Sequence, residues 1–344
     1  MIEYRYNIHG QCIQFKTDSA LIAEAVQALL YNLPIESDWV PPDLNICLRK
    51  VPSWDTIPLS RGPGAQKLQL KGDLNVGICL PKEWRCDLYR EGEVKFAHFP
   101  GQGFLRIDET GVRAEGYLVN PDAMHPEGRT GVFRFALSEL LKCKGFYPVH
   151  AAALQKGGRG ILISGASGSG KTTSCIALLR AGYKCFTDDS TLLCERREDL
   201  QILPFLQKIN VTPKTVGFFP ELQKAKGLLH NGVLKQYFYL DQVYPEQMAN
   251  ACKPAILLFP RVMDWPQSRL EILSKSRALE DLLPQSVLVF DKEVSRRQFY
   301  VLSRLVQEID CYNLYFGADI LNLPVLIDRL LDETQPRCQK RQNL

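Results

Sequence analysis

The chain has 344 residues, 45% of them hydrophobic and 23% charged, enough for more than one core and unlike a disordered protein. Its formal net charge of +4 contains no basic run longer than a pair such as Arg296-Arg297 or Lys340-Arg341, so nothing in it asks for a nucleic-acid partner. Eleven cysteines without CxxC spacing, no apolar signal core in the first residues and no apolar run of about 18 residues point to a reduced, cytoplasmic protein without disulfide scaffold, zinc site or membrane span.

Alternating apolar segments predict strands at 3–8, 11–16, 44–50, 67–72, 74–80, 86–90, 94–98, 104–107 and 112–118. A helix at 19–31 interrupts them, capped by Asp18 or Ser19, with Leu21, Ile22, Ala25, Val26, Leu29 and Leu30 on a single face. Turn residues at 90–93 and 109–111 separate neighbouring strands. Residues 1–122 thus read as a mostly antiparallel β domain, the natural place for recognising a substrate or partner. The breaker-rich stretch 120–129 is the linker, and Thr130 caps a helix at 132–143 whose apolar face is expected to pack on a second domain, 130–332.

That second domain carries the chemistry. Gly160-Ile161-Leu162-Ile163-Ser164 predicts a buried strand, and 172–180 predicts a helix stopped by Gly182. Between them lies Gly165-Ala166-Ser167-Gly168-Ser169-Gly170-Lys171-Thr172, a complete GxxxxGK[ST] phosphate-binding loop in its required strand–loop–helix context. The glycines let backbone N–H groups turn inward at the positive end of a helix dipole, where a β-phosphate is stabilised. Lys171 is expected to reach the β- and γ-phosphates, and the Thr172 hydroxyl to join a Mg²⁺ shell; Thr173 follows as the last of the ATP-binding residues 165–173.

The helix gives way quickly to Lys184-Cys185-Phe186-Thr187 and then Asp188-Asp189. If 185–187 is the strand beside the one carrying the loop, both acids emerge at the same carboxyl edge as the phosphates. One would help Thr172 hold Mg²⁺, Asp188 being the candidate ligand, while the other accepts a proton from an attacking hydroxyl; which does which stays open. An Asp-Asp-Ser turn is the plainer alternative.

This combination resembles the HPr serine kinase family, whose nucleotide core is shared with ATP-dependent phosphoenolpyruvate carboxykinase. The resemblance covers residues 145–332 and is carried by Val149-His150-Ala151-Ala152-Ala153-Leu154, the 165–172 loop, the Asp188-Asp189 pair and, more weakly, Cys311-Tyr312-Asn313-Leu314-Tyr315-Phe316-Gly317. It implies an α/β (α+β) fold, an ATP- and Mg²⁺-dependent kinase with Asp188, Asp189 and Lys171 in catalysis, and His150 lining the site. On its own residues, His150 reads equally as a core histidine, and His9, His98, His125 and His230 lack metal spacing. No glycine- and arginine-rich segment lies between 195 and 300, which counts against HPr as substrate and against the reverse phosphorylase reaction. The likeness is closer to family members of peptide-modification and other specialised pathways, which phosphorylate a hydroxyl on a peptide, protein or small molecule; related kinases also form homo-oligomers.

Beyond the acids, strands are expected at 191–195, 236–240 and 255–259 with a hairpin partner at 269–273, and helices at 278–283, 295–308 and 323–331. The stretch 201–231, broken by Pro204, Pro213 and Pro220, reads as a long loop able to cover the site. Lys208, Lys214 and Arg261 are candidates to neutralise charge on a transferred phosphoryl group, set against ordinary surface cations. The tail 333–344 reads as disordered. An ATP hydrolase, a nucleotide-gated binding module and a carboxykinase-like enzyme use the same loop and remain as alternatives to the kinase.

Overall fold

The computed structural model describes residues 1–34, 40–57, 65–68, 86–124, 126–224, 226–230, 233–286 and 290–333. The tail beyond 333, His125 and most of the strands expected at 67–72 and 74–80 lie outside the described residues. The protein is a mixed α/β structure. In chain order it runs β1 (Ile2–Ile8), β2 (Gln11–Thr17), α1 (Ala20–Leu29), β3 (Leu44–Val51), β4 (Gln66–Lys67), β5 (Asp87–Glu91), β6 (Val94–Phe99), β7 (Gly103–Ile107), β8 (Arg113–Val119), α2 (Pro126–Cys143) and β9 (Tyr147–Val149). Then follow β10 (Ala151–Lys156), β11 (Arg159–Ser164), α3 (Lys171–Arg180), β12 (Lys184–Thr187), β13 (Thr191–Arg196), β14 (Asp199–Leu203), β15 (Lys208–Val211), α4 (Pro213–Phe218), β16 (Lys226–His230) and β17 (Val233–Tyr239). Last come α5 (Leu240–Val243), β18 (Lys253–Val262), β19 (Arg269–Ile272), α6 (Lys275–Leu282), α7 (Lys292–Glu308), β20 (Asp310–Phe316) and α8 (Leu323–Glu333). None of the described helices is long and apolar enough to cross a membrane.

Two compact units emerge, one of Met1–His150, Ser190–Leu206 and Glu280–Arg304, the other of Ala151–Asp189, Gln207–Leu279 and Leu305–Leu344. This division differs from the expected one at 122–130, because the chain passes between the units several times.

In the first unit an eight-stranded sheet runs β1-β2-β3-β8-β7-β6-β5-β4, antiparallel except where β3 pairs parallel to β2 and to β8. One sheet face, including Tyr6, Phe15, Ile46, Leu48 and Phe99, is buried together with apolar residues of α1 and α2. Ser19 caps α1 by accepting from the Ile22 N–H, while the Asp18 carboxylate accepts from Lys50 N–H instead. Helix α2 starts at Pro126, four residues before Thr130, since proline at a first helical turn forfeits no hydrogen bond. Its Phe133 and Phe135 meet Phe15 and Phe99 edge to face at 5.0 and 5.4 Å, and Phe135 also meets Phe290 at 5.6 Å, so its apolar stripe covers the first unit's sheet as well as residues of the expected second domain.

The second unit is built on a six-stranded sheet, β12-β10-β11-β18-β20-β19. β10 is antiparallel to both β11 and β12, and β18 is parallel to both β11 and β20. Hence β11, β12, β18 and β20 all run in one direction and end at one edge. β12 is not beside β11, as the sequence had suggested: β10 lies between them, paired through Leu154↔Cys185. Likewise β19 is no hairpin partner of β18, because β20 inserts between them. The expected long loop at 201–231 instead contains β15, α4 and β16, with Pro213 in the first turn of α4; β15, β17 and β16 form a small antiparallel sheet.

Candidate functional site

Strand β11 is buried from Gly160 to Ser164 and delivers the chain to the carboxyl edge of the sheet. There Gly165, Gly168 and Gly170 take φ of 154°, 84° and 106°, and α3 begins at Lys171. Gly170 at the helix cap sits in the left-handed region that side-chain-bearing residues avoid, and a Cβ there would meet Val262 at 3.5 Å and Phe316 at 3.7 Å. The loop is thus flanked by the ends of β18 and β20. The first N–H groups of α3 have no carbonyl within the helix to bond, which leaves a concentration of positive partial charge at its start.

Lys171 is only 7% exposed, and its ammonium folds back to donate to the carbonyls of Gly165 at 2.6 Å and Ala166 at 3.1 Å. The loop therefore encloses a buried cation. Ser169 supports it from inside, its Oγ 3.0 Å from where a Gly165 Cβ would stand, and that buried Oγ has no hydrogen-bond partner. The Thr173 hydroxyl is within bonding distance of Thr215 Oγ1 (3.2 Å), and Thr212 caps α4 by accepting from Thr215 N–H. Thr173 accordingly faces α4 with its side chain and the loop only through its backbone.

The acids arrive from β12. Because β12 and β11 run in the same direction, Asp188 and Asp189 leave the sheet at the edge where the loop begins. Thr172 donates its hydroxyl to Asp188 Oδ2 at 2.9 Å, so helix start and acid pair meet across 16 positions of sequence. Asp188 is 2% exposed and its other oxygen, Oδ1, is buried without a partner. Burial, reinforced by the neighbouring Asp189 charge, raises its carboxyl from the ordinary 3.8 to about 8, against the lowering effect of the Thr172 hydroxyl and the Lys171 ammonium. Asp189 is half-buried and its backbone N–H donates to Thr187 Oγ1 at 3.3 Å. A buried carboxyl whose ionised form is disfavoured by burial and by a neighbouring acid is one that added positive charge would hold as carboxylate.

The remaining candidates fall as follows. His150 is half-buried at the end of the first unit, in the bend after β9. Lys208 sits over the Tyr237 ring at 4.2 Å. Lys214 is exposed on α4, and Arg261 is exposed near the end of β18, paired in register with Tyr315. Among the described residues no group of three or more His, Cys, Asp or Glu could hold a metal. Behind the loop, Cys175 and Cys185 lie 3.5 Å apart as free, buried thiols.

No protein-family model matches the chain, and no curated protein does so either. Among solved structures, the Hpr(Ser) kinase/phosphatase from Coxiella burnetii is similar at 16% identity, over 54% of this chain and 94% of that one, with a TM-score of 0.28. A superposition at that score identifies neither fold nor activity, and the chemistry of the site is read from its own atoms.

Proposed function

We propose that the chain is an ATP- and Mg²⁺-dependent phosphotransferase that moves the γ-phosphate to a hydroxyl acceptor, a peptide or protein serine or a small molecule. The observation that carries this is the Thr172–Asp188 bond at 2.9 Å, which sets a hydroxyl and a buried carboxylate together at the start of the helix that follows the glycine loop. A complete GxxxxGK[ST] motif over residues 165–172, in a strand–loop–helix setting, supports the phosphate assignment.

The donor set fits Mg²⁺. Hard oxygens of one hydroxyl and one carboxylate suit an ion that keeps several waters and binds phosphate oxygens for the rest, and the unpartnered Oδ1 of Asp188 supplies the missing reason for a cation. Thr172 and Asp188 would hold it. A bound Mg²⁺ supplies neutralisation of charge on the β- and γ-phosphate oxygens.

The chain's own groups divide the remaining work. The N–H groups of residues 165–173 orient the phosphates, and Lys171, released from the loop carbonyls, neutralises the β- and γ-oxygens. Asp189, more accessible than Asp188, is the base. It takes the proton of the acceptor hydroxyl as the new oxygen–phosphorus bond forms and the bond to the ADP oxygen breaks. Positioning and charge stabilisation supply most of the acceleration.

The direct test is incubation with γ-labelled ATP, Mg²⁺ and a cell extract, followed by mass spectrometry of whatever acquires label. Asp188→Asn and Asp189→Asn each serve as control. Label transfer that is unaltered in both variants rules the assignment out, and ATP turnover at the same rate with and without extract would mark a hydrolase.

A further inference from the structure

We propose that Trp265, Arg269 and Tyr315 form a stacking platform for the base of a purine nucleoside triphosphate; this rests on the reading of the 165–172 loop as its phosphate site. The Arg269 guanidinium lies 4.2 Å from the Trp265 ring centre and 4.9 Å from that of Tyr315. The two rings are themselves 5.5 Å apart and tilted by 35°. Trp265 and Tyr315 are half-buried and Arg269 is exposed, so the stack keeps an accessible surface.

Its place in the sheet gives the stack its meaning. Along the edge, the order is β12 with the acids, β10, β11 with the loop, β18, then β20 and β19 with the stack. A γ-phosphate must face the acids for transfer to occur, so the nucleoside has to extend from the loop the other way, over β18 toward β20. Two strand spacings, about 10 Å, separate β11 from β20, a gap that an α-phosphate and ribose can bridge. Val262 and Phe316, which flank Gly170, are register partners, and the adjacent pair in the ladder is Arg261 and Tyr315. Arg269 and Tyr315 are register partners and share one face of the sheet, opposite the face on which Phe316 meets Gly170, so the platform stands at the same sheet edge as the loop and one residue along the strand from its wall.

The platform is also rigidly built. Met263 N–H donates to Phe316 O at 3.0 Å and Ala318 N–H to Trp265 O at 2.9 Å. Ser268 gives both its N–H and its hydroxyl to Asp319 Oδ1 at 2.7 Å and accepts from Gly317 N–H at 3.0 Å. A Cβ at Gly317 would stand 2.6 Å from the Gln267 backbone, so only glycine lets these segments approach. Stacked aromatic rings and a guanidinium suit the faces of any purine, and they hold a base without hydrogen-bond discrimination between adenine and guanine.

Calorimetric titration with ATP and with inorganic tripolyphosphate, both with Mg²⁺, separates base from phosphate. Trp265→Ala is expected to weaken ATP about tenfold or more while leaving tripolyphosphate unchanged, and Trp265→Phe to restore most of the loss. Arg269→Met, on an exposed position, should shift ATP alone in the same direction and decides the matter should the alanine variant not fold. Variants that keep full ATP affinity, or lose both ligands equally, overturn the platform and leave the loop standing. A wild-type chain that binds neither ligand fails at the loop instead, a result of a different kind.

Discussion

Thr172 and Asp188 share a hydrogen bond of 2.9 Å that ties the first turn of α3 to the end of β12. The bond orders a carboxylate whose other oxygen is buried and unpartnered, so its loss affects both members. Thr172→Ala is expected to lower phosphoryl transfer on the order of 10²-fold with a raised Mg²⁺ requirement. Thr172→Ser keeps the hydroxyl and should recover most of it. A Mg²⁺ titration of label transfer in the two variants checks this; equal loss in both would detach the hydroxyl from the ion.

The two acids should separate by phenotype. Asp189→Asn is expected to retain Mg²⁺-dependent ATP binding and lose transfer by about 10²–10⁴-fold, the usual contribution of a positioned base. Asp188→Asn should weaken the Mg²⁺ dependence of ATP binding as well. Binding by calorimetry alongside single-turnover transfer distinguishes them, and the reverse pattern would exchange the two roles.

Lys171 has a structural and a ligand-binding role at once. Its ammonium satisfies the Gly165 and Ala166 carbonyls while only 7% exposed. Lys171→Met leaves those acceptors without that donor, at a stability cost of about 1–3 kcal/mol, and removes the charge that meets the phosphates. Thermal unfolding with and without Mg²⁺·ATP should show a modest drop in the free protein and a loss of most of the ligand-induced rise. A full ligand-induced rise in the variant would count against the phosphate role.

Much of this site was legible because its signals are local. Residues 160–180 carry strand, glycine loop, Lys171, Thr172 and helix in one unbroken stretch, and the structure has each element there. Asp188 and Asp189 reach the same edge as the loop for a reason the sequence could not contain. The pairing Leu154↔Cys185 places β10 between β11 and β12, and direction is preserved only because both pairings of β10 are antiparallel. Helix α2 shows the same limit: periodicity marks an apolar stripe at Phe133, Ala136 and Leu140, but Phe15 and Phe99, more than thirty positions away, decide what it covers. Proline misled at 201–231, since Pro213 opens a helix within a stretch whose prolines read as loop. The Trp265, Arg269 and Tyr315 cluster went unseen because β20 joins β18 and β19 only in three dimensions.

In the first unit, Asp291 makes two attachments with one carboxylate. Its Oδ1 accepts from the N–H groups of Glu293 and Val294 at 3.0 Å, holding the start of α7, and its Oδ2 pairs with Lys95 at 2.7 Å. Burial would raise its carboxyl, but the Lys95 bond and the two backbone donors outweigh burial and hold it below the ordinary 3.8. A carboxylate depressed in the folded state adds stability that is complete above that ordinary value and is lost as pH falls through the folded one. Asp291→Asn preserves the cap acceptor and strands the Lys95 ammonium, itself 5% exposed, at a cost of about 3 kcal/mol at pH 7. Denaturant unfolding from pH 7 down to 3 should then show a clear variant deficit at neutral pH that narrows below pH 4. A deficit that stays constant across that range would mean that the change acts through something other than the Asp291 charge.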